Sequence, residues 1–167
     1  MIVVVDNREL VTSGYKSLLN GEGVSSAGFH VSEFQDWVQS ASDTDVSAVE
    51  AFLLGDFPDR GAVTRLVRAR TNAPLIALAE TKALSSTLDL FAAGIDDVVA
   101  KPVHIKEILA RVGAIRRRDV IDRNRLEAEE ICVFNDGRDA EVAGEPLVLP
   151  RLSLIHISEP TRPERIS

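Results

Sequence analysis

Short apolar runs and longer amphipathic stretches alternate along the first two-thirds of the chain. Ile2-Val3-Val4-Val5 is unbroken and β-branched, as in a strand buried on both faces. Leu10 to Asn20 then reads as a helix closed by Gly21. Ser25 to Val31, around Phe29, predicts a weaker second strand. Ser32 predicts an N-cap, with Gln35 as its capping-box partner, for a helix through Ser40. The polar stretch from Ala41 to Ser47 predicts a loop. Val49 to Leu54 predicts a third strand ending in Gly55-Asp56-Phe57-Pro58-Asp59, and Arg60 to Arg70 a helix. Pro74 opens a fourth strand, Leu75 to Ala79. Thr81 predicts the cap of a helix with Leu84, Leu88, Phe91 and Ala92 on its apolar face and Gly94 at its end. Val98-Val99-Ala100 is the fifth apolar run, stopped by Lys101-Pro102 because proline cannot donate to a ladder. From His104 to Ile115, the spacing of Ile105, Ile108, Leu109, Val112 and Ile115 predicts a fifth helix.

Strand and helix alternating in this way predict an α/β fold, a doubly wound five-stranded parallel sheet covered on both faces. Asp6, Asp56 and Lys101 each follow a strand. The carboxyl ends of strands are where open sheets of this kind gather functional groups.

Beyond residue 115 the pattern changes. Arg116 to Glu130 is densely charged and free of glycine and proline, so it reads as a helix extension or charged linker. Ile131 to Phe134, Asp139 to Ala143 and Pro146 to Leu149 are short strand-like runs, and Asp136-Gly137 is a hairpin signal between the first two. A meander this small has no core of its own. The stretch Leu152 to Arg162 looks like a translated sequencing-library adapter. The expected organisation is one domain over 1–118, a linker over 119–130, the start of a second domain over 131–150, and a non-native tail over 151–167.

Composition narrows the function classes. Apolar residues form 45% of the 167, enough for a real core. The formal net charge of -7 argues against non-specific binding to nucleic acid or anionic membrane by this chain as it stands. The single cysteine, Cys132, makes no internal disulfide, and the three histidines have no metal-ligand spacing. No basic segment precedes the first apolar run, and no run reaches membrane-spanning length, so a cytoplasmic address is expected. The chain carries no glycine-rich phosphate loop after Val5 and no Ser/His/Asp or Cys/His set. A flavodoxin-like enzyme or nucleotide binder is therefore disfavoured, and no catalytic residue is assigned.

The order Asp6-Asn7, then Gly55-Asp56-Phe57-Pro58, then Asp96-Asp97-Val98-Val99-Ala100-Lys101-Pro102 resembles the receiver domain of OmpR/PhoB-class two-component response regulators, among them the flagellar transcriptional regulators of α-proteobacteria. Glu141 to Leu149 resembles the opening strands of that class's winged-helix DNA-binding domain. The resemblance implies a phosphoryl group carried by a strand-three aspartate, Mg²⁺ held by two acids after strand one, and a lysine that neutralises the phosphoryl oxygens. The matching positions depart from this pattern. Asp6 supplies the first acid, but Asn7 stands at the second and weakens a Mg²⁺ site. The acceptor position falls on Leu54, and Asp56 is the nearest carboxylate, out of register. The strand-four hydroxyl falls on Ala79 and the strand-five aromatic on Val98. Lys101-Pro102 matches fully, in a bond that is usually cis in this family.

These residues read as a degenerate receiver that works without Asp phosphorylation, as a constitutive or ligand-gated dimerisation module. Asp6 and Asn7 read as helix caps ahead of metal ligands, and Lys101 as a structural partner of Asp6 or Asp56. Asp97, Glu107, Arg111 and Arg118, with Asp96 and Arg116 beside them, match the charged dimer face of the class. A homodimer is expected, and promoter DNA is expected as partner of the full-length protein. A stand-alone receiver that binds a partner protein is the alternative.

Overall fold

The computed structural model describes residues 1–81 and 83–132, and the two short strands 140–142 and 145–147. The chain divides into two compact units, Met1–Arg116 and Arg117–Ser167. In the first unit β1 (Ile2–Val5), β2 (Ser26–Phe29), β3 (Ala51–Leu54), β4 (Leu75–Ala79) and β5 (Asp97–Ala100) form one sheet in the order β2-β1-β3-β4-β5. Every pairing in it is parallel. The connecting helices are α1 (Glu9–Gly21), α2 (Val31–Ser40), α3 (Asp43–Ser47), α4 (Arg60–Arg68), α5 (Leu84–Ala93) and α6 (Ile105–Cys132). The second unit contains the antiparallel pair β6 (Ala140–Val142) and β7 (Glu145–Leu147).

Strand alternation sorts the core into two layers, because successive side chains leave opposite faces of a sheet. Val3, Val5, Phe52, Leu54, Leu75 and Ala77 join Phe34, Val38, Val63, Val67 and Leu90 from α2, α4 and α5. Ile2, Val4, Leu53, Ile76, Leu78 and Val99 join Leu19 from α1 and Ile105, Ile108, Val112 and Ile115 from α6. Phe34 anchors the first layer, with ring centroids 5.8 Å from Phe29, 5.9 Å from Trp37 and 5.9 Å from Phe52. Helix cover on both faces explains why β1, β3 and β4 read as continuous apolar runs rather than as alternating ones.

Several local expectations give way to the structure. His30, not Ser32, is the N-cap of α2, its ring Nδ1 accepting from the Ser32 amide. The expected loop after α2 contains the one-turn helix α3, because Ser42 caps it reciprocally: its Oγ accepts from the Asp45 amide and donates to the Asp45 carboxylate. Gly21 is the last residue of α1, and the positive φ that ends the turn falls on Gly23 at 76°. Thr81 does not cap α5. Ala83 precedes that helix with no side-chain cap, while Gly94 closes it at φ 115° as expected. Leu84, Leu88, Phe91 and Ala92 face outward, and Leu90 is the α5 residue that enters the core. The charged stretch after Ile115 continues α6 as helix through Cys132, absorbing two residues expected of the meander. β6 and β7 fall within the expected meander, whose remaining residues, like the tail 151–167, lie outside the described residues.

Candidate functional site at the carboxyl rim of the sheet

Register decides which side chains meet at the rim. Val5 pairs with Leu54, so Asp6 and Gly55 leave their strands side by side. Ala79 pairs with Ala100, so Glu80 and Lys101 leave theirs side by side. The expected groups, Asp6, Asp56 and Lys101, do lie at this rim, but Arg8, Arg60 and Glu80 stand among them and take their bonds.

Asp6 is fully buried, and Arg8 holds it from two directions. The Arg8 backbone amide donates to Oδ1 at 2.8 Å, folding the chain back as aspartate does in turns. The guanidinium then donates Nε to Oδ1 and Nη2 to Oδ2, both at 3.0 Å, in the bidentate geometry that suits a carboxylate. Asp6 therefore neither caps α1, whose N-cap is Arg8 itself, nor pairs with Lys101. Across from it, Gly55 comes so close that a Cβ there would lie 1.8 Å from Asp6 Oδ2.

The end of β3 offers Asp6 no second carboxylate. Leu54 is buried in the core. Gly55 has no side chain. Asp56 turns aside, its Oδ2 accepting from the Glu80 amide at 2.8 Å, with Arg60 at 3.8 Å from its Oδ1. Arg60 is largely buried and donates Nη1 to the carbonyls of Gly55 and Leu78 at 2.8 and 2.9 Å, tying the ends of β3 and β4. Burial lowers the Arg60 pKa from its usual value, against the pull of Asp56 and Asp6.

Glu80 joins the two halves of the rim. One oxygen, Oε2, accepts from Lys101 Nζ at 2.9 Å and from Arg8 Nη2 at 3.0 Å. Those two bonds, the lysine's foremost, hold the Glu80 carboxyl below the ordinary glutamate range. Asp6 and Glu80 together raise the Arg8 pKa, Asp6 foremost. Lys101 Nζ also lies 5.8 Å from the centre of the Tyr15 ring, a cation–π distance. Partial burial raises the Tyr15 pKa, with Glu80 and Asp6 adding to the effect. The Lys101-Pro102 bond is cis.

Three acids and three bases thus close on one another. The Mg²⁺ that the resemblance implies does not fit this donor set. Asp6, the one buried carboxylate at the rim, already has both oxygens on Arg8. Asn7 is neutral and exposed, and lines an open cleft of about 480 Å³ with Lys16, His30 and Glu33. Among the described residues, no three His, Cys, Asp or Glu side chains gather as a metal-binding set.

Arg8 and Glu80 were not singled out in the sequence. The available signal was an arginine two residues after the strand-one acid and a carboxylate next to Ala79, where the family's hydroxyl is missing.

Of the expected dimer-face residues, Arg111 donates to Asp97 at 2.8 Å and to Glu107 at 3.0 Å, which raises its pKa through Asp97 first. Asp96, expected beside that face, accepts from Arg68 and, at 2.9 Å, from the Leu75 amide, holding β5 to α4 and β4. Arg116 pairs with Glu50 at 3.3 Å, and Arg118 is exposed.

No protein-family profile matches the chain. The flagellar transcriptional regulator FtcR of Brucella abortus is 44% identical over 155 residues, covering 90% of this chain and 68% of that protein. The transcriptional regulatory protein PhoP of Escherichia coli K12 is 26% identical over 121 residues, covering 71% of this chain and 52% of PhoP. Among solved structures, a two-component response regulator of Clostridium difficile superposes with a TM-score of 0.60 at 21% identity, covering 70% of this chain and 95% of that one. The BeF3-activated DrrB receiver domain does so with a TM-score of 0.56 at 25% identity, covering 70% and 96%. A relative 44% identical over nine-tenths of the chain and two-thirds of its own length, together with the receiver fold, places the chain in the response-regulator family, among the flagellar transcriptional regulators of the FtcR type.

Proposed function

We propose that this chain is the regulatory part of a cytoplasmic transcription regulator of flagellar genes, and that its receiver works without phosphorylation of an aspartate. The observation that carries this is the seat of Asp6. Both its oxygens are on Arg8, Gly55 abuts it with no side chain, and the acceptor position falls on Leu54, which is buried in the core. Asp56 is the nearest strand-three carboxylate, and it is engaged with the Glu80 amide and Arg60 instead. Mg²⁺ has no role in this reading. Incubating the purified chain with Mg²⁺ and a small phosphodonor, then measuring intact mass, tests it. The expected result is no phosphoryl adduct, and stoichiometric acyl-phosphate on Asp56 overturns the proposal.

The regulator acts as a homodimer. Leu84, Leu88 and Phe91 on α5 are exposed and apolar, and the Asp97–Arg111–Glu107 group lies on the next two elements. Apolar side chains beside charged groups suit a specific protein contact. Residues 131–150 begin a winged-helix domain, and the full-length protein reads promoter DNA through it, with basic contacts to phosphate and a helix in the major groove. Light scattering of wild type and Leu88→Glu tests the dimer: the variant is expected to be monomeric where wild type is dimeric.

A further inference from the structure

We infer that His30 is a pH-gated cap: its neutral ring closes the N-terminus of α2, and on protonation it releases the helix and turns to the carboxylates of the cleft beside it.

The residues that usually cap a helix, Ser, Thr, Asp and Asn, offer an acceptor oxygen throughout the neutral range. α2 uses an imidazole instead. His30 sits in extended backbone, and its Nδ1 accepts from the Ser32 amide at 3.3 Å, with Ser32 Oγ 3.0 Å from the same atom. That bond needs the lone pair of a neutral ring whose proton is on Nε2. A second proton takes the lone pair and turns Nδ1 into a donor that faces another donor, the Ser32 amide. It also sets a positive charge at the positive end of the helix dipole. Histidine is the side chain whose charge changes between about pH 5 and 8, and the exposed His30 takes its proton directly from water.

The charged ring has a second seat. His30 lines the cleft of about 480 Å³ with Asp6, Glu9, Lys16 and Glu33. Asp6 has both oxygens on Arg8. The carboxylates left to receive the imidazolium are Glu9 from α1 and Glu33 from α2, against the single ammonium of Lys16. The cap's contribution is therefore present where the ring is neutral and is lost as pH falls through the histidine range. The change reaches the core through α2: Phe34 is fully buried, and the Trp37 ring lies 5.9 Å from it and 5.5 Å from Phe29, the residue before His30.

The test titrates the ¹⁵N-labelled full chain from about pH 8 to pH 5, as wild type and as His30→Asn, which keeps a capping oxygen and does not titrate. In wild type, the Ser32 amide shift and the Trp37 emission are expected to move along the same curve as the His30 ring, and in His30→Asn both are expected to stay flat. Exchange of the Ser32 amide, corrected for its intrinsic pH dependence, is expected to be about fivefold faster in wild type than in the variant in acid, and equal at the alkaline end. A ring that titrates while the Ser32 amide stays still overturns the inference, as does a Ser32 titration that survives in His30→Asn. The first of these outcomes needs no variant, so the inference can fail even if His30→Asn folds poorly. With the cleft carboxylates neutralised in Glu9→Gln/Glu33→Gln, the Ser32 curve is expected to move to lower pH, and an unmoved curve overturns the second seat.

Discussion

Replacing Arg8 by Met removes the cation from a carboxylate with no side-chain exposure. Breaking a buried ion pair from one side costs about 3–5 kcal/mol, since the remaining charge is left in a poor medium. Arg8 itself is 47% exposed, so water can reach part of the vacated space, and a figure of about 2–3 kcal/mol follows. Part of the Arg8 anchor is backbone: its amide still donates to Asp6 Oδ1 in the variant. With a urea slope of about 1–3 kcal/mol/M, the unfolding midpoint should fall by roughly 1 M. Asp6→Asn and the double variant complete a cycle. Because both changes touch one set of bonds, the double variant should cost less than the sum of the singles by about 1–2 kcal/mol. A midpoint for Arg8→Met within about 0.2 M of wild type, or strict additivity, would mean that Arg8 is an ordinary surface arginine and that the rim is not held by this pair.

Gly55→Ala puts a methyl group into Asp6 Oδ2, so it should cost about 2–4 kcal/mol in urea unfolding, and Gly55→Ala/Asp6→Ala should recover part of the loss. Phe34→Ala should cost about 3–5 kcal/mol and change the emission of Trp37, the chain's one tryptophan, which stacks on it. Glu50 is held below its ordinary 4.5 chiefly by the Met1 ammonium, with Arg116 assisting. Its contribution is therefore fully present above that value and lost as pH falls through the lowered folded pKa. The stability gap between wild type and Glu50→Gln should be widest at neutral pH and close in acid, and a gap constant with pH would contradict this.

The scaffold was legible because a strand buried on both faces leaves a plain mark: Ile2 to Val5 and Leu75 to Ala79 admit little else. The fifth strand and the cap at Gly94 were equally plain. The outward turn of Leu84, Leu88 and Phe91 was not, since a helix with apolar residues on two sides does not say which side the core will take, and only the seating of Leu90 decides it. α3 was hidden by its polar composition, although Ser42 and Asp45 carried the reciprocal cap. At the rim, the sequence pointed to Asp6, Asp56 and Lys101 but not to their partners. Pairing there depends on register across β1, β3, β4 and β5, which sets Glu80 beside Lys101 and Gly55 beside Asp6. No local pattern encodes that adjacency.

The closeness of Gly55 to Asp6 couples two positions far apart in the chain. A side chain at 55 lands on the Asp6 carboxylate with its first carbon, so any residue but glycine there needs a shift or a smaller residue at 6. Substitutions at the two positions are therefore expected to be accepted together rather than one at a time.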